Sequence, residues 1–163
     1  MLRSIDGKVL GPSPIQADFN LSDRDLRRAD FRQITAEGLY CAGSDLREAD
    51  FSDCDLYWLD MYTADCADAC FRRAKLEGAS FQSACLQRVD FSYAIIKHDN
   101  LGGASTFAHA NLEGANFEGA LLVGTEYDDA TIFPAGFDPV SYGMVLNNRG
   151  HDSLVEPPCK EKK

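Results

Sequence analysis

Histidine and cysteine are the side chains best suited to catalysis, and their positions are the first guide to any chemistry in this chain. The three histidines, His98, His109 and His151, are scattered along the sequence. Nucleophilic catalysis needs a serine or cysteine beside a histidine, in a pocket that holds a substrate. No such set is visible in the sequence, so we predict that the protein is not an enzyme and uses neither a metal nor a cofactor.

The cysteines are candidates for a metal site or a redox site. There are six, at Cys41, Cys54, Cys66, Cys70, Cys85 and Cys159. They lack the paired spacing of zinc-binding motifs. The N-terminal residues lack the apolar run of a signal peptide, and no stretch is long enough to cross a bilayer. We therefore expect reduced thiols in a cytoplasmic protein without a membrane segment.

The charge balance restricts the kinds of partner. The chain has 163 residues, 45% of them apolar, and a formal net charge of −10. This size and composition fit one domain with a continuous core. Because binding to phosphates requires clustered lysine and arginine, we predict no direct nucleic-acid binding. A protein partner with a basic surface is electrostatically favourable.

A repeat must position all of these side chains. Phe31, Phe51, Phe71 and Phe91 are twenty residues apart, and from Leu26 to Leu101 every fifth residue is apolar. A period of five fits neither one face of a helix nor one face of a strand. It fits a chain that turns a corner every five residues, with four sides in each coil. The phenylalanines then form a core ladder, and glycine or Asx residues occupy the corners that need unusual φ angles.

The repeat is interrupted near residue 100. A one-residue slip at Gly102-Gly103-Ala104 precedes the next apolar centre, Phe107. This interpretation places Leu101 inside and continues the phenylalanine ladder through Leu112 and Ile132. Asp99 occupies an inward position directly before the slip, where we expect it to bond to freed backbone amides. His98 and His109 are expected to face solvent.

The same register divides the cysteines. It places Cys41, Cys54 and Cys66 inside as small apolar side chains. Cys70 and Cys85 each precede an apolar centre, so we expect them to point outward as accessible thiols. A redox role for these two thiols is the alternative, although no neighbouring residue marks them as activated.

The individual units resemble a known repeat family. Ala29-Asp30-Phe31-Arg32-Gln33, Ala49-Asp50-Phe51-Ser52-Asp53 and Ala110-Asn111-Leu112-Glu113-Gly114 match the pentapeptide-repeat signature. The resemblance implies an all-β fold, a right-handed quadrilateral parallel β-helix. The sequence from Ile132 to Pro139 is similar to the exit sequence of cyanobacterial members.

The ends of the chain depart from the repeat. We predict an N-terminal cap over residues 1–16, the β-helix over 17–134 and a C-terminal cap over 135–147. Asp138 and Pro139 have the side chains that begin a helix, so the C-terminal cap is expected to be a short helix. The polar residues 148–163 are expected to form a flexible tail.

Two surface features are candidates for binding a partner. Trp58 and Tyr57 follow an apolar centre and should point outward, with Tyr62 and Tyr40 on the adjoining side; such residues often anchor interfaces. Asp45 and Asp65 stack along an acidic edge. The alternative interpretation of these carboxylates is structural, because aspartate before a centre can bond to the backbone of the corner.

The family resemblance implies a non-catalytic protein–protein interaction module, a rigid acidic rod that binds a protein partner such as a transcriptional regulator. The alternative is a DNA mimic that binds DNA gyrase and inhibits or protects it, as the resemblance to quinolone-resistance members implies. Those members carry loops that project from the coils, whereas the one-residue slip is the interruption seen in this sequence. Whether the rod is a monomer or a homodimer through the C-terminal cap is left open.

Overall fold

The computed structural model describes residues 2–3, 9–11, 19–148 and 159. Its body is a coil of very short parallel strand pairings that repeat every twenty residues. Strand β3 (Thr35–Glu37) pairs in parallel with β4 (Asp55–Tyr57). On the other sides the coils pair through single bridges, such as Asp25 with Asp45 and Asp30 with Asp50. The coil therefore has four sides of five residues each, as the spacing of the phenylalanines predicted.

A tight turn at each corner explains the five-residue period. In one such corner the amide of Ala29 donates to the carbonyl of Leu26 over 3.0 Å, and Arg28 has a φ of 57°. Thirteen non-glycine residues of the described chain have positive φ, and all of them occupy this position, two after an apolar centre. The prediction of unusual φ at the corners is confirmed, and side chains other than glycine tolerate it.

The core contains a stack of phenylalanine rings. The ring centroids of Phe31 and Phe51 are 4.2 Å apart, those of Phe51 and Phe71 are 4.7 Å apart, and those of Phe71 and Phe91 are 5.3 Å apart. All four side chains are fully buried. The predicted core ladder is thus confirmed over these coils.

Beyond Phe91 the predicted register is wrong. Phe91 stacks on Phe117, not on Leu112, with centroids 5.4 Å apart. Similarly, Phe107 stacks on Phe81, and Thr106 pairs with Ser80. The spacing between facing residues rises from twenty to 26, so the chain contains six extra residues, 99–104, instead of a one-residue slip.

The C-terminal segment is not the predicted helix. Residues 139–143 form turns, in which the Gly143 amide donates to the Val140 carbonyl over 3.0 Å. The chain then enters β6 (Val145–Leu146), which pairs in parallel with β5 (Glu126–Tyr127). The amides of Val145 and Asn147 donate to carbonyl groups of the previous coil, over 2.9 and 2.8 Å. A helix would use such amides for bonds within itself and would leave the carbonyl groups of the last coil without these partners.

At the N-terminus, β1 (Leu2–Arg3) pairs antiparallel with β2 (Val9–Gly11). The rest of residues 1–16 lies outside the described part, so the N-terminal cap stays a prediction. The predicted flexible tail also lies outside it, apart from Asn148 and Cys159.

Candidate functional site

The six extra residues form a loop at one corner of the rod, called here the insertion loop (residues 99–104). Asp99 organises it and is almost fully buried. Its Oδ1 atom accepts hydrogen bonds from the amides of Leu101 (2.8 Å) and Gly103 (2.7 Å), and its own amide donates to the Gly103 carbonyl. The prediction that Asp99 bonds to backbone amides at the interruption is confirmed.

Trp58 fixes the same aspartate from two coils away. Its Nε1 atom donates to Asp99 Oδ2 over 2.5 Å. To reach Asp99 the indole lies flat over Gly78, where an added Cβ would be 2.5 Å from Trp58 Cδ1. Gly78 therefore provides the space that lets Trp58 bridge to the insertion loop.

The hydrogen bonds change the acidity of Asp99. The bond from Trp58 lowers the pKa of the Asp99 carboxyl, and the amides of Gly103 and Leu101 lower it further, although burial opposes them. A lowered pKa extends the ionised form of the carboxylate to more acidic pH, where Asp99 still accepts all three hydrogen bonds.

Tyr57 adds a second attachment. Its hydroxyl oxygen accepts a hydrogen bond from the Asn100 amide over 3.2 Å, and its ring centroid lies 5.0 Å from that of Trp58. Two adjacent aromatic residues therefore hold the insertion loop by its first two residues. The insertion loop is therefore held by side chains outside it, because Tyr57 and Trp58 belong to an earlier coil.

The held loop presents an apolar side chain to solvent. Leu101, which the sequence register placed inside, is 79% exposed. With Trp58, itself 38% exposed, and Tyr57 it forms what we call the loop surface (Tyr57, Trp58 and Leu101). Leu101 is the residue of this surface that the sequence did not predict; the signal was Asp99, whose carboxylate could not remain unpaired in an apolar core.

The other two predicted tyrosines are on the neighbouring side. Tyr40 is 40% exposed and Tyr62 is half-buried. Both lie at the side of the rod on which Tyr40, Asp60 and Ser80 pair between consecutive coils. This side adjoins the corner that carries the insertion loop. Within the described chain no ring contact joins them to Tyr57 or Trp58, so they border the loop surface without belonging to it.

The predicted acidic edge is largely neutralised. Arg47 donates two hydrogen bonds to Asp45, of 2.8 and 2.6 Å, and its Nε atom lies 3.6 Å from Asp65. Only 3% of the Asp65 side chain is exposed, so Asp65 does not contribute to an exposed surface. At the start of the same ladder, Arg27 lowers the pKa of Asp25 to about 2 through a side-chain hydrogen bond.

Further ion pairs run along the rod between consecutive coils. These pairs are Arg28–Glu48, Arg73–Asp53, Arg88–Asp68 and Lys75–Asp55. Each joins residues twenty apart, which the repeat places directly above one another. Exposed pairs of this kind contribute little to stability, but they reduce the density of free negative charge on the rod.

One predicted thiol is not accessible. Cys85 is fully buried and forms a disulfide with Cys159, their Cα atoms being 5.1 Å apart. The expectation of reduced, accessible thiols is therefore wrong for Cys85, whereas Cys70 is free and half-buried. The pairing was not predictable from local spacing, because 74 residues separate the two cysteines.

The histidines remain apart. His98 is exposed as predicted, but only 16% of the His109 side chain is exposed, because its Nδ1 atom contacts the Asp128 carboxylate. Burial raises the pKa of Asp128, but hydrogen bonds from the His109 amide and the Thr131 hydroxyl outweigh it and lower the pKa overall. Through the hydrogen bond from the His109 amide, Asp128 links its own coil to the preceding one.

The described residues show neither a metal site nor a membrane-spanning helix. No group of three or more histidine, cysteine, aspartate or glutamate side chains is placed to hold a metal ion there. The same residues contain no helix long and apolar enough to cross a membrane.

Comparison with known proteins decides the family. A model of pentapeptide repeats matches in eight copies, over residues 25–61, 60–97 and 100–126. The chain belongs to the pentapeptide-repeat family. No curated protein matches it.

Solved structures of pentapeptide-repeat proteins resemble it. Rfr23 from the cyanobacterium Cyanothece 51142 aligns with a TM-score of 0.57 and 19% identity, over 72% of this chain and 86% of Rfr23. HetL from Nostoc sp. PCC 7120, involved in heterocyst differentiation regulation, has a TM-score of 0.48 and 24% identity, over 69% of this chain and 50% of HetL. A protein of the Arabidopsis thaliana thylakoid lumen has a TM-score of 0.39 and 28% identity, over 65% and 66%. The family and the fold shared with Rfr23 make the coil a right-handed parallel β-helix.

Proposed function

We propose that this pentapeptide-repeat protein is a non-catalytic interaction module that binds a protein partner through the loop surface. The observation that carries the proposal is Leu101, a large apolar side chain that is 79% exposed on a loop held by buried bonds. Single exposed apolar side chains are common, but Leu101 belongs to a fixed loop that Trp58 and Tyr57 also hold, so it is presented together with two aromatic residues.

The geometry of the loop surface favours binding. Ordering a flexible loop on association costs free energy, and a loop that is already fixed avoids that cost. Asp99, Trp58 and Tyr57 fix the insertion loop before any partner arrives. Tryptophan and tyrosine are also among the residues that dominate binding energy at interfaces.

Partner class, location and assembly follow from the family resemblance. We propose a protein partner, with transcriptional regulators as the first class to test, and a cytoplasmic location without direct binding to nucleic acid or membrane. Exposed Val140, Val145 and Leu146 lie at the C-terminal end of the rod, where a homodimer would form. Size measurement in solution distinguishes the monomer from the homodimer.

A DNA mimic that binds DNA gyrase is the second candidate. The insertion loop favours it, because the quinolone-resistance members carry loops that project from the coils and the sequence had predicted only a one-residue slip. The ion pairs of Asp45 and the burial of Asp65 oppose it, because a mimic of the phosphate backbone needs exposed, unpaired charge. A supercoiling assay with no inhibition or protection at micromolar protein would exclude this candidate.

The experiment that tests the main proposal is affinity capture from the native cell with three baits. They are the wild-type chain, Leu101→Asp and the control Val140→Asp, whose wild-type side chain is 71% exposed in the C-terminal turns (residues 139–143), outside the insertion loop. We expect one partner to be retained by the wild type and Val140→Asp and lost by Leu101→Asp. A partner retained by all three baits, or lost only with Val140→Asp, would contradict the loop surface as the site.

A further inference from the structure

The disulfide joins the C-terminal segment to the side of the rod. Cys85 takes a bridging position between Asp65 of the preceding coil and Asn111 of the following coil. Most bridging positions carry exposed or half-buried side chains, but Cys85, like Asp65 below it, is buried. Its partner Cys159 is half-buried. The two cysteine residues of the bond therefore differ in their access to solvent.

We propose that Cys85 and Cys159 form a reversible redox modification site, whose reductant is a protein dithiol of the thioredoxin class. Reduction detaches Cys159 from the rod, and oxidation attaches it again. The site is independent of the loop surface, which lies at a different corner and contains no cysteine.

The difference in access sets the direction of attack. A thiolate of the reducing protein dithiol attacks Cys159 Sγ and the sulfur–sulfur bond breaks. Cys85 then leaves as a thiolate that takes up a proton. The second thiol of the reductant loses its proton and attacks the mixed disulfide, which releases Cys159 as a thiolate that is protonated in turn. In total two electrons and two protons pass to the cysteine pair, and the dithiol becomes a disulfide. Reoxidation is the reverse exchange with an oxidised protein dithiol.

The rod is ready to hold the reduced state. Gln87 Oε1 lies 3.9 Å from Cys85 Sγ, within reach of a weak hydrogen bond from the thiol. Gln87 is itself held, because its Nε2 atom donates to Glu113 over 2.9 Å. A reduced Cys85 thiol therefore has a hydrogen-bond acceptor in place on its own coil.

The remaining cysteines are poor competitors. Cys41, Cys54 and Cys66 are buried in the core, and burial raises the pKa of Cys54 to about 12. A thiol reacts as its thiolate, so a raised pKa makes it inert. Cys70 contacts the Ser52 hydroxyl at 3.1 Å and is bonded to no other cysteine. The exchange is thus selective for one pair.

The test counts thiols in the full-length protein before and after native reduction. Oxidised protein is treated with a thioredoxin-class dithiol protein without denaturant, quenched with acid, then denatured, alkylated and analysed by mass spectrometry with peptide mapping. We expect four alkylated cysteines before reduction and all six afterwards, with Cys85 linked to Cys159 in the oxidised sample. Cys70→Ser should lower both counts by one, and Cys159→Ser should give the same count in both states.

Three results would overturn the proposal. The first is six free thiols in the protein after exposure to an oxidised protein dithiol. The second is a disulfide that links Cys159 to Cys70 instead of Cys85. The third is a bond that resists the dithiol until denaturant is added, which would make the disulfide a fixed structural crosslink.

Discussion

Trp58 donates its indole N–H to the carboxylate of Asp99, a residue 41 positions later in the chain. The bond passes over Gly78 and spans two coils, so it joins the earlier part of the rod to the insertion loop. The three residues depend on one another: Asp99 accepts the bond, Trp58 donates it, and Gly78 leaves the space that the indole occupies. They convert an interruption of the repeat into a fixed surface.

The pKa of Asp99 makes the Trp58 bond sensitive to acid. Because the folded protein lowers this pKa below the usual 3.8, the carboxylate stabilises the fold fully above that value. The contribution is lost as the pH falls through the folded-state pKa. Trp58 is the single tryptophan of the chain, so its fluorescence reports on this bond. We expect an emission change with a midpoint below pH 3.8 that is absent in Asp99→Asn; a midpoint at or above the usual value would contradict the bond.

Gly78 should be sensitive to substitution for two reasons, its φ of +71° and the indole above it. We expect Gly78→Ala to lower the free energy of unfolding by about 2–3 kcal/mol. Gly102→Ala is the matched control, because Gly102 also has positive φ but no atom within 4 Å of an added Cβ, and should cost about 1 kcal/mol. Denaturant unfolding measures both. In the double variant with Trp58→Ala, the extra cost at Gly78 should disappear, and its persistence would argue against the contact.

The corrected register can be checked by truncating two residues. Phe117 continues the phenylalanine stack, so Phe117→Ala should lower the free energy of unfolding by about 3 kcal/mol. Leu101→Ala should change it by less than about 0.5 kcal/mol, because Leu101 is exposed. If Leu101→Ala were the more costly change in urea unfolding, the insertion would be smaller than six residues.

The sequence was sufficient for the fold up to Ile96, because steric packing in a filled rod requires an apolar residue at every fifth position. It failed at Leu101, which keeps the five-residue spacing by chance while the backbone has already left the coil. The correct register was visible in aromatic spacing, with Phe117 lying 26 residues after Phe91. The number of residues between Leu101 and Phe107 did not distinguish a one-residue slip from a slip of one residue plus an extra unit of five.

Interactions between distant residues explain the other differences. Asp138 and Pro139 have helix-starting side chains, but pairing of β6 with β5 overrides that local preference. Trp58 and Tyr57 were predicted as exposed aromatic residues, whereas their attachment to Asp99 and Asn100 depends on the insertion loop. Asp45 and Asp65 were placed on the correct ladder, but Arg47 determines how little of their charge is free.

The disulfide should also affect stability. Crosslinking a loop of 74 residues restricts the unfolded chain, and the chain-entropy model gives about 4.4 kcal/mol for a loop of this size. We therefore expect oxidised protein to unfold at higher denaturant than reduced protein. Cys159→Ser should match the reduced protein in both redox conditions, and Cys70→Ser should keep the difference. Identical midpoints for oxidised and reduced wild type would contradict the crosslink.

The most direct measurement is the dissociation constant of the captured partner for purified Leu101→Asp and Val140→Asp. Both variants place a carboxylate on an exposed apolar position and leave the core intact. We predict binding at least about tenfold weaker for Leu101→Asp, since an anchor residue at an interface contributes 1.4 kcal/mol or more, and unchanged binding for Val140→Asp. Equal affinity of the two variants would show that the partner does not bind the loop surface.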